Sequence, residues 1–271
     1  MCSAIGLSPK SWKEKTVQTD TDTALWKTRI ESILIDTPCY GYRKVAAALT
    51  RLGYFINHKK VMRIMRETGL KQKRRVYKPK TTDSRHRLRT FPNLVKDMVP
   101  HFPHQVWVAD ITYVRLPAGF CYVAIVLDVF TKHVVGWSIA LSMEESLVQE
   151  ALDAALRKGV PQYHHSDRGG QYCATGYVQR LEGAGIKISM ADTGVSVDNP
   201  YAESFNRTLK VEEVYLHDYQ SIAEARESIK DFIETVYHAK RLHQSLDYVT
   251  PDEFSETWKL QQTQEMVSSI H

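Results

Sequence analysis

The sequence predicts an α/β domain with a mixed sheet, preceded by a small all-α domain and a basic linker. After residue 103 the pattern changes from helical spacing to three runs rich in Val, Ile, Tyr and Trp, which are typical of strands. Helical and strand-like segments then alternate in the order β-β-β-α-β-α-β-α. Ahead of this change, residues 71–89 contain nine Lys and Arg, one acid and no sustained apolar period.

These changes of pattern divide the chain into five segments. We expect a flexible N-terminal segment and an all-α domain, then the linker, the mixed-sheet domain with C-terminal helices, and a tail. The segments run over residues 1–22, 23–70, 71–103, 104–255 and 256–271.

The first domain is predicted to contain three helices. The first covers 23–36, with Asp22 or Thr23 as its N-cap and a partial apolar stripe. The second covers about 42–52, and Gly53 then supplies a turn. The third is capped by Asn57, ends near Gly69, and packs through its apolar residues Val61, Met62, Ile64 and Met65, which leaves Lys59, Lys60, Arg63 and Arg66 outside. Two short helices with cations on the outer face of the second suit a DNA-reading helix-turn-helix, although a three-helix packing module with solvated lysines has the same pattern.

The linker is the most basic part of an uneven charge distribution. Before His104 there are 22 Lys and Arg against 8 Asp and Glu, and after it 14 against 23, so the net charge of +5 averages two unlike halves. Lys73, Arg74 and Arg75 lie in the densest run. This charge fits an extended segment along a phosphate backbone, because cations bound there release counterions, but a soluble spacer would also be basic.

In the second domain, strands are predicted over 106–116, 120–130 and 134–140. The elements that follow are a helix over 144–158, a strand over 162–166, a helix around 177–182 and a strand over 186–190. A long helix then begins near Pro200, capped by Asp198 or Asn199, and passes Tyr215.

Three acids stand out by their positions. Asp110 lies in the middle of an apolar strand, and because a buried carboxylate needs neutralisation, we expect a cation nearby. Asp167 follows a strand, at the edge where open α/β sheets bind ligands. Glu203 lies in the first turn of the long helix. Lys210 is two turns further along that helix, so the two project from one face, which Asn206 and Arg207 extend. A metal at one end and a phosphate at the other would fit this face, but so would an ordinary salt-bridged surface.

Five ordered motifs carry a resemblance to a known family. They are Trp107-Val-Ala-Asp-Ile-Thr-Tyr113, His165-Ser-Asp-Arg-Gly-Gly-Gln-Tyr172, the run from Asp198 to Lys210, the pair Tyr40-Gly-Tyr-Arg-Lys-Val and 57–66, and Tyr237-His-Ala-Lys-Arg-Leu-His-Gln-Ser-Leu246 with Thr250-Pro-Asp-Glu-Phe254. From about Tyr40 to Phe254 the chain resembles the OrfB-type DDE transposases of the insertion-sequence-three family, whose core is of the retroviral integrase type. His238 stands where the family often has Asn.

The resemblance implies an RNase H-like five-stranded core in which Asp110, Asp167 and Glu203 converge. Three carboxylates can hold two Mg²⁺ ions, for which Mn²⁺ is expected to substitute. The implied activity is cleavage at transposon ends followed by attack of the freed 3′-hydroxyl on another phosphodiester. Residues expected to contact DNA are Lys210, Arg207, Asn206, Arg168, Lys59, Lys60, Arg63, Arg66, Lys73, Arg74 and Arg75.

The expected partners follow from this activity. They are transposon-end DNA, target DNA and further copies of the chain, because joining two ends suggests at least a dimer. The family also suggests a frameshifted fusion with an upstream OrfA-type protein. Two alternatives stay open: a sequence-specific DNA-binding regulator with a vestigial RNase H-like domain, and a hydrolase of RNA–DNA hybrids.

Other chemistries are disfavoured by the sequence. No apolar stretch approaches the roughly 20 residues of a membrane helix, no signal peptide is recognisable, and a cytoplasmic location is expected. Cys2, Cys39, Cys121 and Cys173 form no zinc or disulfide pattern, and Cys121 and Cys173 are expected to pack in the core. His164 and His165 are expected to be structural or to contact phosphate rather than metal. His238 and His243 are expected at a helix end and a loop that pack on the core.

Overall fold

The computed structural model divides the chain into two compact units, Met1–Lys78 and Pro79–His271. It describes residues 9–70, 88–192 and 199–268, with side chains from residue 22 onward. Lys73, Arg74, Arg75 and Asp198, which the sequence analysis singles out, lie outside these ranges.

The first unit contains helices α1 (Pro9–Asp36), α2 (Tyr42–Arg51) and α3 (His58–Glu67). Helix α1 begins well before the predicted start, so Asp22 and Thr23 lie inside the helix and do not cap it. No Pro or Gly interrupts residues 10–36, and nothing in that stretch therefore stops the helix.

The core of the first unit comes from one face of each helix. Its fully buried residues are Ile30, Val45, Leu49, Val61 and Ile64. Met62, predicted to pack, is 42% exposed, because at 100° per residue it lies at the edge of the stripe formed by Val61, Ile64 and Met65. The predicted cap of α3 is present, since the Lys59 amide donates to Oδ1 of Asn57 over 2.8 Å.

The second unit is built on a mixed five-stranded sheet. Strands β1 (Val106–Leu116), β2 (Gly119–Asp128) and β3 (Val134–Ala140) form an antiparallel meander, and β4 (Tyr163–Ser166) and β5 (Lys187–Met190) run parallel to β1. The spatial order is β3-β2-β1-β4-β5. The predicted fold class is confirmed, and β1 and β3 have the predicted bounds.

Helices cover both faces of this sheet. On one face pack α4 (Glu145–Leu156), the short α5 (Gly170–Cys173) and α6 (Thr175–Gly183). On the other pack α7 (Pro200–Glu212), which a 3₁₀ turn Val214–Leu216 extends, and α8 (Ile222–Asp231). Both faces of β1 are therefore buried, as its nearly continuous apolar sequence requires.

The C-terminal region continues this second layer. A π-type turn, Phe232–His238, follows α8, and helix α9 runs over Pro251–Ser268 without a break at the expected start of the tail, residue 256. Thr250 and Glu253 form a reciprocal capping box, because each backbone amide donates to the other's side chain. In the three described ranges, α9 and all other helices are too short or too polar to cross a membrane.

Candidate active site

Asp110 lies near the middle of β1, the central strand. The Ile111 amide donates to its Oδ1 over 2.9 Å, and the Nδ2 group of Asn206 in α7 donates to its Oδ2, also over 2.9 Å. The direct side-chain donor to Asp110 is thus a neutral amide, while the expected cation is Lys210, which interacts with Asp110 electrostatically. Two hydrogen bonds hold the carboxylate in place without cancelling its charge.

The parallel pairing of β1 with β4 brings Asp167 beside Asp110. Val108 pairs with His165, so two residues further along each chain the two acids emerge next to each other at the end of β4. The Gly169 amide donates to Oδ1 of Asp167 over 2.9 Å. A Cβ atom at Gly169 would lie 3.0 Å from that oxygen, so a larger residue here would crowd the carboxylate of Asp167.

Burial and the proximity of Asp167 alter the protonation of Asp110. Burial and then the charge of Asp167, with a smaller contribution from Glu203, raise the pKa of Asp110 to about 7. The two hydrogen bonds oppose this rise without cancelling it. A carboxylate held in this state gains free energy when a cation arrives, so the electrostatics favour cation binding.

Glu203 lies in the first turn of α7 and its side chain is exposed. Burial raises its pKa, and Arg207, one turn away, opposes the shift. In residues 9–70, 88–192 and 199–268, no group of three His, Cys, Asp or Glu side chains is arranged to hold a metal ion. The three acids are therefore electrostatically coupled but do not form a closed metal cage.

The cations predicted around the acids are placed differently from one another. Nζ of Lys210 lies 3.7 Å from the centre of the Tyr113 ring, and burial lowers its pKa while Asp110 opposes the shift. Arg207 is exposed. Arg168 donates from Nε to the Ala191 carbonyl over 2.8 Å, which directs it toward the end of β5. Asn206, predicted to contact DNA, is buried and donates to Asp110.

The predicted groove-reading helix presents most of its cations to solvent. Lys59, Arg63 and Arg66 are exposed on α3. Lys60 differs, because its Nζ donates to the Asp22 carboxylate in α1 and lies 5.6 Å from the Trp26 ring centre. The structure therefore assigns Lys60 to packing between helices. The helical pattern that placed four cations outside the apolar stripe does not reveal the partner of Lys60, which lies 38 residues earlier.

The remaining candidates are structural. Tyr177 bonds to Nε2 of His164 and Ser189 bonds to Nδ1 of His165, each over 2.9 Å in the core. Nε2 of His238 accepts from the Val134 amide over 3.0 Å. His243, Cys121 and Cys173 are buried, as expected for packing residues.

Sequence reasoning did not identify several residues that shape the site. Asn199 does not cap α7 with its side chain and instead donates from Nδ2 to the Ala109 carbonyl, next to Asp110, over 2.9 Å. Tyr113 supplies the ring beneath Lys210. Tyr172 is buried, and this burial raises its pKa, with smaller contributions from Tyr177, Asp110 and Asp167. Tyr113 and Tyr172 lie within the recognised motifs, which was the available signal.

Comparison with known protein families matches most of the two units. An HTH-like domain family matches residues 21–78, and two integrase core domain families match residues 100–196 and 184–251. These ranges contain α3 and all three acids.

Several proteins of insertion elements are similar to the chain. It is 34% identical over 268 residues to the insertion element IS600 uncharacterized 31 kDa protein of Shigella sonnei, covering 95% of this chain and 98% of that protein. It is 38% identical over 216 residues to the transposase for insertion sequence element IS629 of the same species, covering 79% and 73%. It is 34% identical over 220 residues to transposase InsF for insertion sequence IS3A of Escherichia coli (strain K12), covering 79% and 76%.

Solved structures show a more distant likeness. The simian T-cell lymphotropic virus intasome in complex with PP2A regulatory subunit B56 gamma has a TM-score of 0.49 at 16% identity, covering 83% of this chain and 73% of that one. The HTLV-2 integrase catalytic core domain in complex with magnesium has a TM-score of 0.45 at 18% identity, covering 56% and 96%.

Proposed function

The chain belongs to the insertion-sequence-three (IS3) family of bacterial DDE transposases, and from that membership we propose how its own residues carry out transposition. Proteins of this kind are polynucleotidyl transferases with an integrase-type core that depends on a divalent metal. We propose that Asp110, Asp167 and Glu203 form the site at which the chain cuts the ends of its element. The freed 3′-hydroxyl then attacks another phosphodiester at the same site.

The observation that carries this proposal is the adjacency of Asp110 and Asp167 on neighbouring parallel strands. Their mutual repulsion helps to raise the pKa of Asp110 to about 7, and a divalent cation between them would relieve it. Carboxylate oxygens are the donors that Mg²⁺ prefers, so the residues present fit this ion, and Mn²⁺ should substitute. When bound, two such ions supply Lewis-acid activation of the attacking oxygen and stabilise the leaving oxygen.

Each residue of the chain then has a defined part. Asp110, oriented by Ile111 and Asn206, presents its carboxylate from a rigid strand. Asp167 faces the same point from the end of β4. Glu203, exposed at the start of α7, completes the set when DNA and metal are present. Lys210, held over Tyr113, lies along the same face of α7 and contacts a phosphate of the bound strand.

DNA binding is divided between the two units. Lys59, Arg63 and Arg66 on α3 contact the element end, and the linker cations Lys73, Arg74 and Arg75 contact its backbone. Arg207, exposed one turn from Glu203, contacts the strand near the cut. Because two ends must be joined, the acting form contains at least two copies of the chain. Target DNA is the second substrate, and an OrfA-type protein fused upstream would contribute further contacts to the ends.

The test uses purified full-length chain and labelled duplexes carrying the terminal sequences of its element. With Mg²⁺ we expect strand cleavage that leaves a 3′-hydroxyl, followed by joined products. Asp110→Asn, Asp167→Asn and Glu203→Gln should each abolish both steps while binding of the same duplex, followed by gel mobility, persists. Glu227→Gln removes an exposed carboxylate from α8, away from the acids, and should leave both steps unchanged.

Other outcomes would point to other functions. If the chain bound its element ends but cut nothing with Mg²⁺ or Mn²⁺, it would be a DNA-binding regulator with a vestigial core. If it cleaved RNA–DNA hybrids in preference to element-end DNA, it would be a hybrid hydrolase. Full activity of Asp167→Asn or Glu203→Gln would contradict the proposed metal site.

A further inference from the structure

The C-terminal signature, which runs from Tyr237 to Leu246, packs against α7, the helix that carries Glu203. The Tyr237 ring is buried edge-on to Phe205 of α7, with ring centres 4.8 Å apart. His243 closes the other side of the same ring, also at 4.8 Å. The signature therefore packs on the helix that carries Glu203.

Arg241 makes the strongest of these contacts. Its Nε and Nη2 groups donate to the two carboxylate oxygens of Glu212, each over 2.8 Å, and Nη2 also donates to Oγ1 of Thr208 over 3.3 Å. The side chains of Arg241 and Glu212 are only 12% and 14% exposed. A bidentate, shielded pair is directional and weakly screened by salt, so it fixes an orientation as well as a distance.

The backbone around Arg241 is itself restrained. Its amide donates to the Val236 carbonyl over 2.7 Å, which closes the π-type turn, and the His243 amide donates to the Val249 carbonyl over 3.1 Å. Wide turns of this kind often mark functional positions in helices. The guanidinium of Arg241 is consequently held against α7 by a backbone whose conformation is restrained.

The position of the contact on α7 is informative. At 100° per residue, Glu203, Arg207 and Lys210 share one side of the helix, whereas Thr208 and Glu212 lie on the opposite side. The apolar residues Phe205 and Leu209 lie between these sides and pack on the sheet. The burial of apolar residues is non-directional, whereas a bidentate ion pair prescribes a specific orientation.

We propose that the Arg241–Glu212 pair is a positioning device that fixes the rotation of α7, and thereby sets Glu203 and Lys210 relative to Asp110. This inference rests on the proposed function, since it assigns the C-terminal signature a role in that same site. Arg241 bonds to Glu212 and Thr208 of α7, so its proposed effect on the acids is transmitted by that helix. Loss of the pair misplaces Glu203 without unfolding the domain.

The experiment measures end cleavage and joining by Arg241→Lys, Arg241→Leu and Glu212→Gln as a function of Mg²⁺ and DNA concentration. Residues that orient metal-binding carboxylates typically contribute about 10- to 100-fold to metal affinity or activity. We therefore expect kcat to fall and the half-saturating Mg²⁺ concentration to rise by about that amount, while KM for DNA changes by less than about threefold. In the absence of DNA and metal, amide hydrogen exchange of α7 peptides should accelerate selectively.

Two control variants separate positioning from general stability. Arg180→Leu removes another bidentate pair, with Asp153, that joins α6 to α4 and is more exposed to solvent. Leu181→Ala creates a cavity in the core on the opposite face of the sheet and serves as a control for thermal destabilisation. Neither should change the Mg²⁺ dependence. The exchanged pair Glu212→Arg with Arg241→Glu should recover part of the lost activity.

Each result decides the matter. If the Arg241 and Glu212 variants follow Leu181→Ala in Mg²⁺ dependence, kcat and exchange of α7, the pair is structural only and the inference is overturned. If Arg241→Leu does not fold, Arg241→Lys and Glu212→Gln supply the same comparison. If the native chain itself neither cuts nor joins DNA, the proposed function fails, and selective exchange of α7 then decides whether the pair holds the helix.

Discussion

The amide of Asn206 donates to Oδ2 of Asp110 over 2.9 Å and links α7 to the central strand of the sheet. Its Oδ1 is buried and, within the described ranges, accepts no hydrogen bond. The residue therefore contributes a donor to an anion and leaves an acceptor near the acids. A side chain that looked like part of a DNA-contacting surface is instead an orienting group for a carboxylate.

Asp110→Asn should stabilise the metal-free protein at alkaline pH. The folded pKa of Asp110, about 7, lies above the ordinary value of 3.8, so ionising it costs folding free energy that grows as pH rises from about 4 to about 7. The upper limit is roughly 4 kcal/mol. Thermal unfolding without metal should show Tm several degrees above that of the native chain at pH 8, and no gain at pH 4.

The same measurement with Mg²⁺ reverses the order. Bound cation should raise Tm of the native chain by mass action and leave Asp110→Asn unaffected. Asp97→Asn, at an exposed position, is the control. A native chain whose Tm ignored Mg²⁺ in the presence of element-end DNA would contradict this prediction.

His238→Asn should flatten the loss of stability at acid pH. Burial, with smaller contributions from His133 and Lys158, lowers the pKa of His238 to about 3, whereas the ordinary value is 6.5. Between pH 6.5 and 3, His238 is therefore protonated in the unfolded chain but neutral in the folded chain. The free energy of unfolding consequently decreases as pH falls through this range. Asn can accept from the Val134 amide without titrating, so chemical denaturation should show a slope smaller by about 1.4 kcal/mol per pH unit.

The corresponding control is His101→Asn, at an exposed position, which should leave the slope as it is. His164, whose pKa is also lowered to about 3 by burial, will maintain part of the acid sensitivity. An unchanged slope in His238→Asn would mean that His238 is protonated in the folded chain.

Lys59→Ala and Arg63→Ala should each weaken DNA binding, and Lys60→Ala should not. The first two cations are exposed on α3, whereas Lys60 is engaged by Asp22 and Trp26. Removing one phosphate contact lowers the salt slope of the binding constant by about 1. Fluorescence anisotropy at several salt concentrations should detect that change for the Lys59 and Arg63 variants only. An equal change for the Lys60 variant would contradict the distinction between the exposed cations and Lys60.

Neutralising Lys73, Arg74 and Arg75 together should weaken binding to all sequences alike. Contacts to phosphate carry no sequence information, so the salt slope should fall by about 3 while the preference for element ends persists. The comparison uses specific and scrambled duplexes in the same assay. If the affinity for DNA and its salt dependence were unchanged, the linker cations would serve only to keep the chain soluble.

Gly136→Ala should strongly destabilise the second unit. A Cβ atom on Gly136 of β3 would lie 2.1 Å from the Ala151 carbonyl oxygen and 2.6 Å from the Ala155 amide nitrogen of α4. Because both are backbone atoms, α4 must move, at a cost of about 3 kcal/mol or more. Gly183→Ala, which meets nothing within 4 Å, is the matched control and should be neutral or slightly stabilising in urea denaturation.

Local patterns were enough to predict most of the elements. Runs rich in Val, Ile, Tyr and Trp predict β1 and β3 with their observed bounds, and Asn57 predicts the start of α3. The predicted start of α1 was wrong, because an acceptable N-cap residue inside an unbroken helical stretch has the same local pattern as a true helix start. The prediction that Met62 packs in the core was wrong, because hydrophobicity alone does not define the edge of the apolar stripe on a helix.

The sequence by itself determined the fold class, through runs of β-branched and aromatic residues that alternate with helical segments, and it singled out the three acids proposed as the active site, through motifs whose order and residue types are highly specific. Only the tertiary structure decided which neighbours those residues have. The register of β4 on β1 sets Asp167 beside Asp110, and α7 turns Asn206 inward and places Glu212 against Arg241. Such contacts join residues far apart in the chain. Because many polar side chains could have served as the partner of each residue, no local pattern specifies which one does.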